Sequence, residues 1–119
     1  MIIFPKFDSY KIDSGTFSGS SLVLFPDNVN LSGTLYSAFS QSAIQRLDLR
    51  KFTNTGTSFY NAFNNCKHLK NLLVNEDFGK GVNAMNSAFS SCEKLNKLDY
   101  LNTEDCTNMN QLFYYCSNL

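Results

Sequence analysis

The chain has 119 residues, ten basic and ten acidic side chains and a formal net charge of zero. This length suits one domain, and the balanced charge lacks the basic surplus of proteins that bind nucleic acids or anionic membranes. The longest apolar runs hold four residues, whereas a bilayer-spanning helix needs roughly 20. We therefore expect no nucleic-acid partner and no membrane insertion, and the absence of a basic n-region after Met1 predicts no signal peptide.

The first 19 residues form a segment that does not follow the repeat described below. It is apolar at Ile2, Ile3, Phe4, Phe7, Tyr10 and Ile12. Because the terminal unit of a repeat protein needs a cover for its core, residues 1–19 are predicted to be an N-terminal cap with extended pieces.

Residues 20–119 repeat with a period of about 25. Four phenylalanines, at Phe39, Phe63, Phe89 and Phe113, are 24, 26 and 24 residues apart. A second column contains Leu22, Leu47, Leu72 and Leu98, with steps of 25, 25 and 26. The two columns together predict about four coils, the last of them incomplete.

Each coil combines two periodicities. Apolar residues at i, i+3, i+4 and i+7, such as Met85, Ala88, Phe89 and Cys92, predict a helix of about two turns, with Asn83 and Thr107 as candidate caps of two of these helices. Farther along each coil the period becomes two, which predicts a short strand with three inward pairs: Leu47 and Leu49, Leu72 and Val74, Leu98 and Tyr100.

One such coil buries too little apolar surface to be stable alone, so the coils must stack. The predicted fold is an α/β solenoid: a right-handed, leucine-rich-repeat-like coil with a short parallel β-sheet on one face and short helices on the other.

The frame Ala-Phe-x-x-Cys-x-x-Leu-x-x-Leu occurs at residues 62–72, returns at 88–98 and begins again at 112. The preceding stretch, residues 102–113, is rich in Thr and Asn and contains an Asn-Met pair before its Phe. Both stretches resemble the BspA-like leucine-rich repeats of bacterial surface proteins. This resemblance implies a non-enzymatic protein that recognises a protein partner or mediates adhesion, located at the cell surface or outside the cell.

Four cysteines raise the question of a disulfide or a metal site. Cys66, Cys92 and Cys116 occupy equivalent positions, and Cys106 takes the apolar slot of Val82 in the preceding coil. We interpret them as buried reduced thiols that act as apolar plugs, with a disulfide as the open alternative. Since no pair has the C-x-x-C spacing of zinc sites, no metal, cofactor or catalytic residue is predicted.

The outward residues of the predicted strands are candidates for partner binding. Stacking would align them in three columns with Leu73 and Leu101 as apolar anchors, and the alternative is an ordinary solvated face. The predicted binding residues are Arg46, Asp48, Arg50, Asn71, Leu73, Asn75, Lys97, Asp99 and Leu101.

The last coil differs from the others. Tyr114 and Tyr115 replace small polar residues, and Leu119 continues the column of Leu69 and Leu95. Because tyrosine is enriched at interfaces, these residues predict a C-terminal interface with a second copy, with another protein or with further repeats.

Two functions therefore remain open. One is protein recognition through the outward strand face by a surface protein. The alternative is a structural subunit or fragment of a larger assembly, such as a phage particle or a surface appendage, with the last coil as its interface; the location would then be a phage particle or the cytoplasm.

Overall fold

The computed structural model describes residues 8–119 and the backbone of Ile2 and Ile3. Of the predicted cap, Phe4, Phe7 and the side chains of Ile2 and Ile3 lie outside the described residues. Within the described part the chain forms short strands and no helix; the strands are β1 Ile2–Ile3, β2 Ser9–Ile12, β3 Leu22–Leu24, β4 Asn30–Gly33, β5 Arg46–Leu49, β6 Thr53–Asn54 and β7 Asn71–Val74.

The strands form two parallel sheets, with the orders β1-β3-β5-β7 and β2-β4-β6. Within each sheet, a strand pairs with the strand two positions later in the chain, which is its equivalent in the next coil. The predicted stacking of coils and the parallel pairing are therefore confirmed. The second sheet is absent from the sequence-based prediction, although Tyr10/Ile12 and the buried Leu31 alternate with polar neighbours as half-buried strands do.

The predicted short helices are wrong. In residues 35–42, the N–H groups of Ala38 and Ser42 donate to carbonyls three residues back, at 3.0 Å each, whereas Ser37 and Gln41 have φ values of 51° and 59°. Left-handed backbone cannot continue a right-handed helix, so this stretch is a pair of consecutive turns. The inward face is as predicted in the earlier coils, where for example Phe59, Ala62, Phe63 and Cys66 are all buried, but in the last coil Met109 and Phe113 are exposed.

The same turns recur on one side of every coil, which we call the turn side. Two left-handed residues four positions apart define it, in five successive pairs: Gly15 and Gly19, Ser37 and Gln41, Asn61 and Asn65, Ser87 and Ser91, Gln111 and Tyr115. In the first four of these pairs, the N–H groups of the two left-handed residues and of the phenylalanine between them donate to carbonyls of the next coil at 2.6–3.2 Å. The last of these bonds joins the Ser91 N–H to the Tyr114 carbonyl. Hydrogen bonds between coils thus replace the bonds of a helix.

The turn side begins at a polar residue, but not at the predicted caps. Oxygens of Thr34, Ser58 and Asn108 accept the N–H two residues on, each at 3.1 Å. Asn83 and Thr107 lie one position earlier and cap no helix; the Thr107 hydroxyl instead donates to the Asn83 carbonyl at 3.2 Å.

A column of stacked phenylalanine rings runs through the core behind the turn side. Neighbouring ring centroids are 5.2–5.7 Å apart and their planes are within 20° of parallel, in the order Phe17, Phe39, Phe63, Phe89 and Phe113. Phe17 lies inside the segment predicted to be a cap, and its N–H donates to the Ala38 carbonyl at 2.8 Å. The stacking therefore extends one coil further than the sequence period indicates.

The predicted leucine column is wrong at its first step. Leu24 pairs with Arg46, so Leu22 does not lie opposite Leu47. Leu24 and Arg46 are 22 residues apart, as are Phe17 and Phe39. The coil that these residues span is therefore shorter than the later coils, whose phenylalanines are 24–26 residues apart.

The strand predicted around Leu98 and Tyr100 does not form. Residues 95–103 are irregular, and Tyr100 is exposed where the prediction placed it inward. Among the described residues no strand, β7 included, pairs with this segment. β7 is accordingly the last strand of its sheet.

Candidate interaction surface

The middle of the predicted binding face is an internal ion pair. Asp48 is buried, and its carboxylate accepts two hydrogen bonds of 2.9 Å from the Arg50 guanidinium, with two more from the N–H groups of Arg50 and Asn28. These donors, with the Arg50 guanidinium foremost, lower the pKa of Asp48 to about 2. The Asp48 oxygens are thus occupied within the protein.

Arg46 is held in a similar way across two coils. Its guanidinium donates to the Asp27 carboxylate at 2.9 and 3.2 Å, and this pairing raises the pKa of Arg46. A two-point geometry fixes the plane of the guanidinium, and the side chain remains partly exposed.

Four of the predicted binding residues meet in one shallow depression beside β7. Half-buried Leu73 lines it together with Asn71, Lys97 and Asp99. The Lys97 amino group is 3.4 Å from the Asp99 carboxylate. We name this depression the Leu73 groove; its lining is apolar at Leu72 and Leu73 and polar at the other residues.

The other predicted binding residues have different surroundings. Leu101 is half-buried and packs against the core. The Asn75 amide donates to the Arg50 carbonyl at 2.8 Å, and its oxygen accepts the Asp77 N–H at 2.9 Å. These two residues therefore hold the coils in place.

Two lysines beside the Leu73 groove, Lys70 and Lys94, are absent from the sequence-based prediction. Lys70 lines that groove and two adjoining depressions. Lys94 also lines these two adjoining depressions, and one of them contains Arg46 and His68 as well. The signal was present in the sequence as basic residues that precede the strand position in two consecutive coils: Lys67, His68 and Lys70 in one, and Lys94 in the next.

The last coil exposes large apolar side chains, including Phe113, Tyr114, Tyr115 and Leu119, which are 39–67% exposed. The ring centroids of Tyr114 and Tyr115 are 4.3 Å apart, and a side-chain hydrogen bond that Tyr114 donates to Tyr115 raises the pKa of Tyr114.

The backbone of this coil is open as well. Each earlier coil uses three N–H groups to bond the next one. The equivalent N–H groups, those of Gln111, Phe113 and Tyr115, have no acceptor among residues 8–119.

The cysteines are free thiols with a structural role. The thiols of Cys66, Cys92 and Cys116 donate at 2.9–3.1 Å to the carbonyl of the phenylalanine one coil earlier. Burial raises the pKa of Cys66 to about 11 and raises that of Cys92 as well. Each of these three thiols donates a hydrogen bond between coils, but only Cys66 and Cys92 are buried; Cys106 and Cys116 are half-buried, so the prediction of four buried thiols is wrong for these two.

Neither catalytic nor metal-binding geometry is evident in the described residues. His68 is exposed while the Cys66 thiol is fully buried, so the two share no cleft. No group of three or more His, Cys, Asp or Glu side chains in residues 8–119 converges as metal ligands do. The same part of the chain contains no helix that could cross a bilayer.

Comparison with protein families matches the whole chain, residues 1–119, to the BspA type leucine rich repeat region in six copies. No curated protein and no solved structure matches it.

Proposed function

The chain belongs to the BspA-type leucine-rich repeat family, and from this premise we propose that it is a non-enzymatic binding module that docks a protein partner on the Leu73 groove. Repeat proteins of this kind use extended sheet faces for recognition. The observation that carries the proposal is the placement of half-buried Leu73 among Asn71, Lys97 and Asp99. An apolar centre inside a polar rim is the usual anatomy of a protein interface.

The surroundings of the groove support a rigid docking site. β5 and β7 pair in register, with Arg46 opposite Asn71 and Asp48 opposite Leu73. Because Asp48 and Arg50 satisfy each other, the sheet beneath the groove presents a fixed surface, which lowers the entropy lost on binding. Attachment at the bacterial cell surface is part of the same proposal and is supported by the family alone.

The proposal is tested with Leu73→Glu, using Thr55→Glu as the matched control on an exposed site after β6. Each variant adds one negative charge. Purified extracellular-matrix proteins are arrayed and probed with the wild-type chain and both variants, and circular dichroism checks the fold. Retention that Leu73→Glu abolishes and Thr55→Glu preserves supports the groove. Equal retention by all three chains rejects the groove, and no retention of any component by the wild type rejects adhesion to these proteins.

A second candidate function is a structural joint at the last coil. Its end face carries three free N–H donors and the open side of the Phe113 ring. The carbonyls of residues 109–114 already accept hydrogen bonds within the chain, so two copies placed end face to end face would meet donor to donor. The partner must therefore present backbone carbonyls at alternate residues, as another coil of this kind does.

The joint is tested by extending the chain after Leu119 with a copy of residues 96–119, because Leu119 and Leu95 are equivalent. Amide hydrogen exchange should then slow at Gln111, Phe113 and Tyr115, and the melting temperature should rise. An extension of identical composition but scrambled order is the control. Exchange that the ordered copy leaves unchanged contradicts the joint.

A further inference from the structure

An edge of lysines lies beside the Leu73 groove. It comprises lysines just before β7 and lysines around the start of the equivalent segment in the next coil. We name Lys67, Lys70, Lys94 and Lys97 the lysine edge. Lys70 lines three adjoining depressions, and Lys94 and Lys97 each line at least one of the same three. The depressions thus form one continuous surface that crosses two coils.

Three of these amino groups are not neutralised inside the protein. Among the described residues, no carboxylate lies within ion-pair distance of Lys67, Lys70 or Lys94, although exposed Glu93 adjoins Lys94 in the chain. Lys97 pairs with Asp99 at 3.4 Å. The edge therefore retains a positive surplus that is available to a partner.

The opposite end of the strand positions carries acidic residues together with the exposed Lys51 and Lys80. Glu76 and Asp77 follow β7, and Glu104 and Asp105 occupy the equivalent turn of the next coil. At that end the two signs of charge are mixed, whereas Lys67, Lys70 and Lys94 on the lysine edge have no carboxylate within ion-pair distance among the described residues. Charge complementarity therefore favours the lysine edge over the opposite end as the position of an acidic segment.

We propose that the partner of the Leu73 groove is an acidic peptide segment, with aspartate or glutamate carboxylates over Lys70 and Lys94 and an apolar side chain on Leu73. This inference rests on the proposed function, because it names the chemistry of the partner at the same site. The amides of Asn71, Asn96 and Asn118 line the depressions and supply further donors to carboxylate and carbonyl oxygens.

A nucleic acid fits this surface less well than an acidic peptide does. A polyanion that extends over the sheet would reach the carboxylates of Glu76 and Asp77, whereas a short acidic segment stays over the lysine edge. Bases also need aromatic platforms for stacking, and the residues that line the three depressions include no aromatic side chain other than His68.

The test compares two double variants of the full chain, Lys70→Glu/Lys94→Glu and Lys51→Glu/Lys80→Glu. Each Lys→Glu change lowers the charge by two, so both variants move the formal net charge from zero to about −4. Lys51 and Lys80 are exposed and lie at the far ends of the strands. The probe is a fluorescein-labelled peptide of alternating glutamate and leucine, measured by anisotropy at low and high salt.

We expect the wild type to bind the peptide, more weakly at high salt because exposed charges are screened. Lys70→Glu/Lys94→Glu should weaken binding about tenfold, and Lys51→Glu/Lys80→Glu should leave it within about twofold. Equal weakening by both variants, or no binding by the wild type, overturns the proposal. Tighter binding of single-stranded oligothymidylate, lost in the same variant, overturns it in favour of a nucleic acid.

Failure here is distinct from failure of the proposed function. If the acidic peptide does not bind but Leu73→Glu still abolishes retention of a matrix protein, the groove stands and its partner is not acidic. If peptide binding depends on Lys70 and Lys94 but is unaffected by Leu73→Glu, the lysine edge acts without the groove, and the inferred apolar contact is wrong.

Discussion

The Asp48 carboxylate lies against the Arg50 guanidinium through two hydrogen bonds of 2.9 Å, although both residues belong to the face that the sequence predicts to be open to a partner. The pair is one-sided, because Asp48 is buried whereas Arg50 reaches into solvent. The Asn28 N–H, from the preceding coil, completes the set of donors. Asp48 thereby ties successive coils together.

This arrangement predicts a pH-dependent contribution to stability. The folded pKa of Asp48 is about 2, below the roughly 3.9 of an unfolded chain, so the stabilisation is complete above about pH 4 and is lost as the pH falls toward 2. Asp48→Asn should lower the free energy of unfolding by about 2 kcal/mol at pH 7. Urea unfolding at pH 7, 4 and 2 measures this loss.

The difference between the wild type and Asp48→Asn should shrink between pH 4 and pH 2. Asp99→Asn is the control, since Asp99 is exposed and its pair with Lys97 contributes little. A difference that stays constant over this pH range would show that the carboxylate charge is not what stabilises the coil.

The phenylalanine column predicts a gradient of stability along the chain. Phe63 stacks between Phe39 and Phe89 at 5.4 and 5.3 Å, so Phe63→Ala should cost about 3–5 kcal/mol. Phe113 stacks on Phe89 alone and is 39% exposed, so Phe113→Ala should cost about 1–2 kcal/mol. Thermal unfolding of both variants checks the order, and equal losses would contradict the stacked column.

The left-handed turn positions predict a contrast between two adjacent asparagines. Asn65 has a φ of 59°, whereas Asn64 is not in the left-handed region. A β-branched residue is strained there, so Asn65→Val should cost about 1–2 kcal/mol. Asn65→Gly should be tolerated, as Gly19 is at the equivalent position.

Asn64→Val is the matched control, because both side chains are half-buried. It should cost less free energy than Asn65→Val, because Asn64 is not in the left-handed region. Denaturant unfolding of the three variants gives the comparison. Similar losses at both positions would mean that the turn side is not held in the left-handed conformation.

The thiols predict an order of chemical modification. Cys66 and Cys92 are buried, and burial holds the pKa of Cys66 at about 11, so almost no thiolate forms there near pH 8. Iodoacetamide should modify the more accessible Cys106 and Cys116 first. Mass spectrometry with and without urea follows the reaction, and modification of Cys66 or Cys92 as fast as Cys106 in the native chain would contradict their burial.

The sequence predicted the parts of the fold that depend on which side chains must be buried. The phenylalanine period, the inward Phe-Cys-Leu frame and the parallel stacking all follow from columns of apolar residues. The family resemblance followed from the same frame, and the match over residues 1–119 confirms it.

The candidate site was only partly predictable. The alternation of Leu72 and Leu73 placed Leu73 outward, and the structure brings it to Asn71, Lys97 and Asp99. The same alternation placed Asp48 outward too, but could not reveal that Arg50 and Asn28 enclose it. Arg50 is near in sequence, but the Asn28 N–H comes from the preceding coil, and no local pattern shows that contact.

Burial is determined by side-chain chemistry, and the amino-acid sequence alone therefore determined what faces the core and how often it recurs. The tertiary structure decided where the backbone hydrogen bonds go. On the turn side an apolar pattern with helical spacing became paired turns, because N–H groups such as that of Phe63 donate to the next coil. The same spacing of side chains is compatible with both outcomes, and only the presence of a neighbouring coil, with its row of carbonyls, favours the turns.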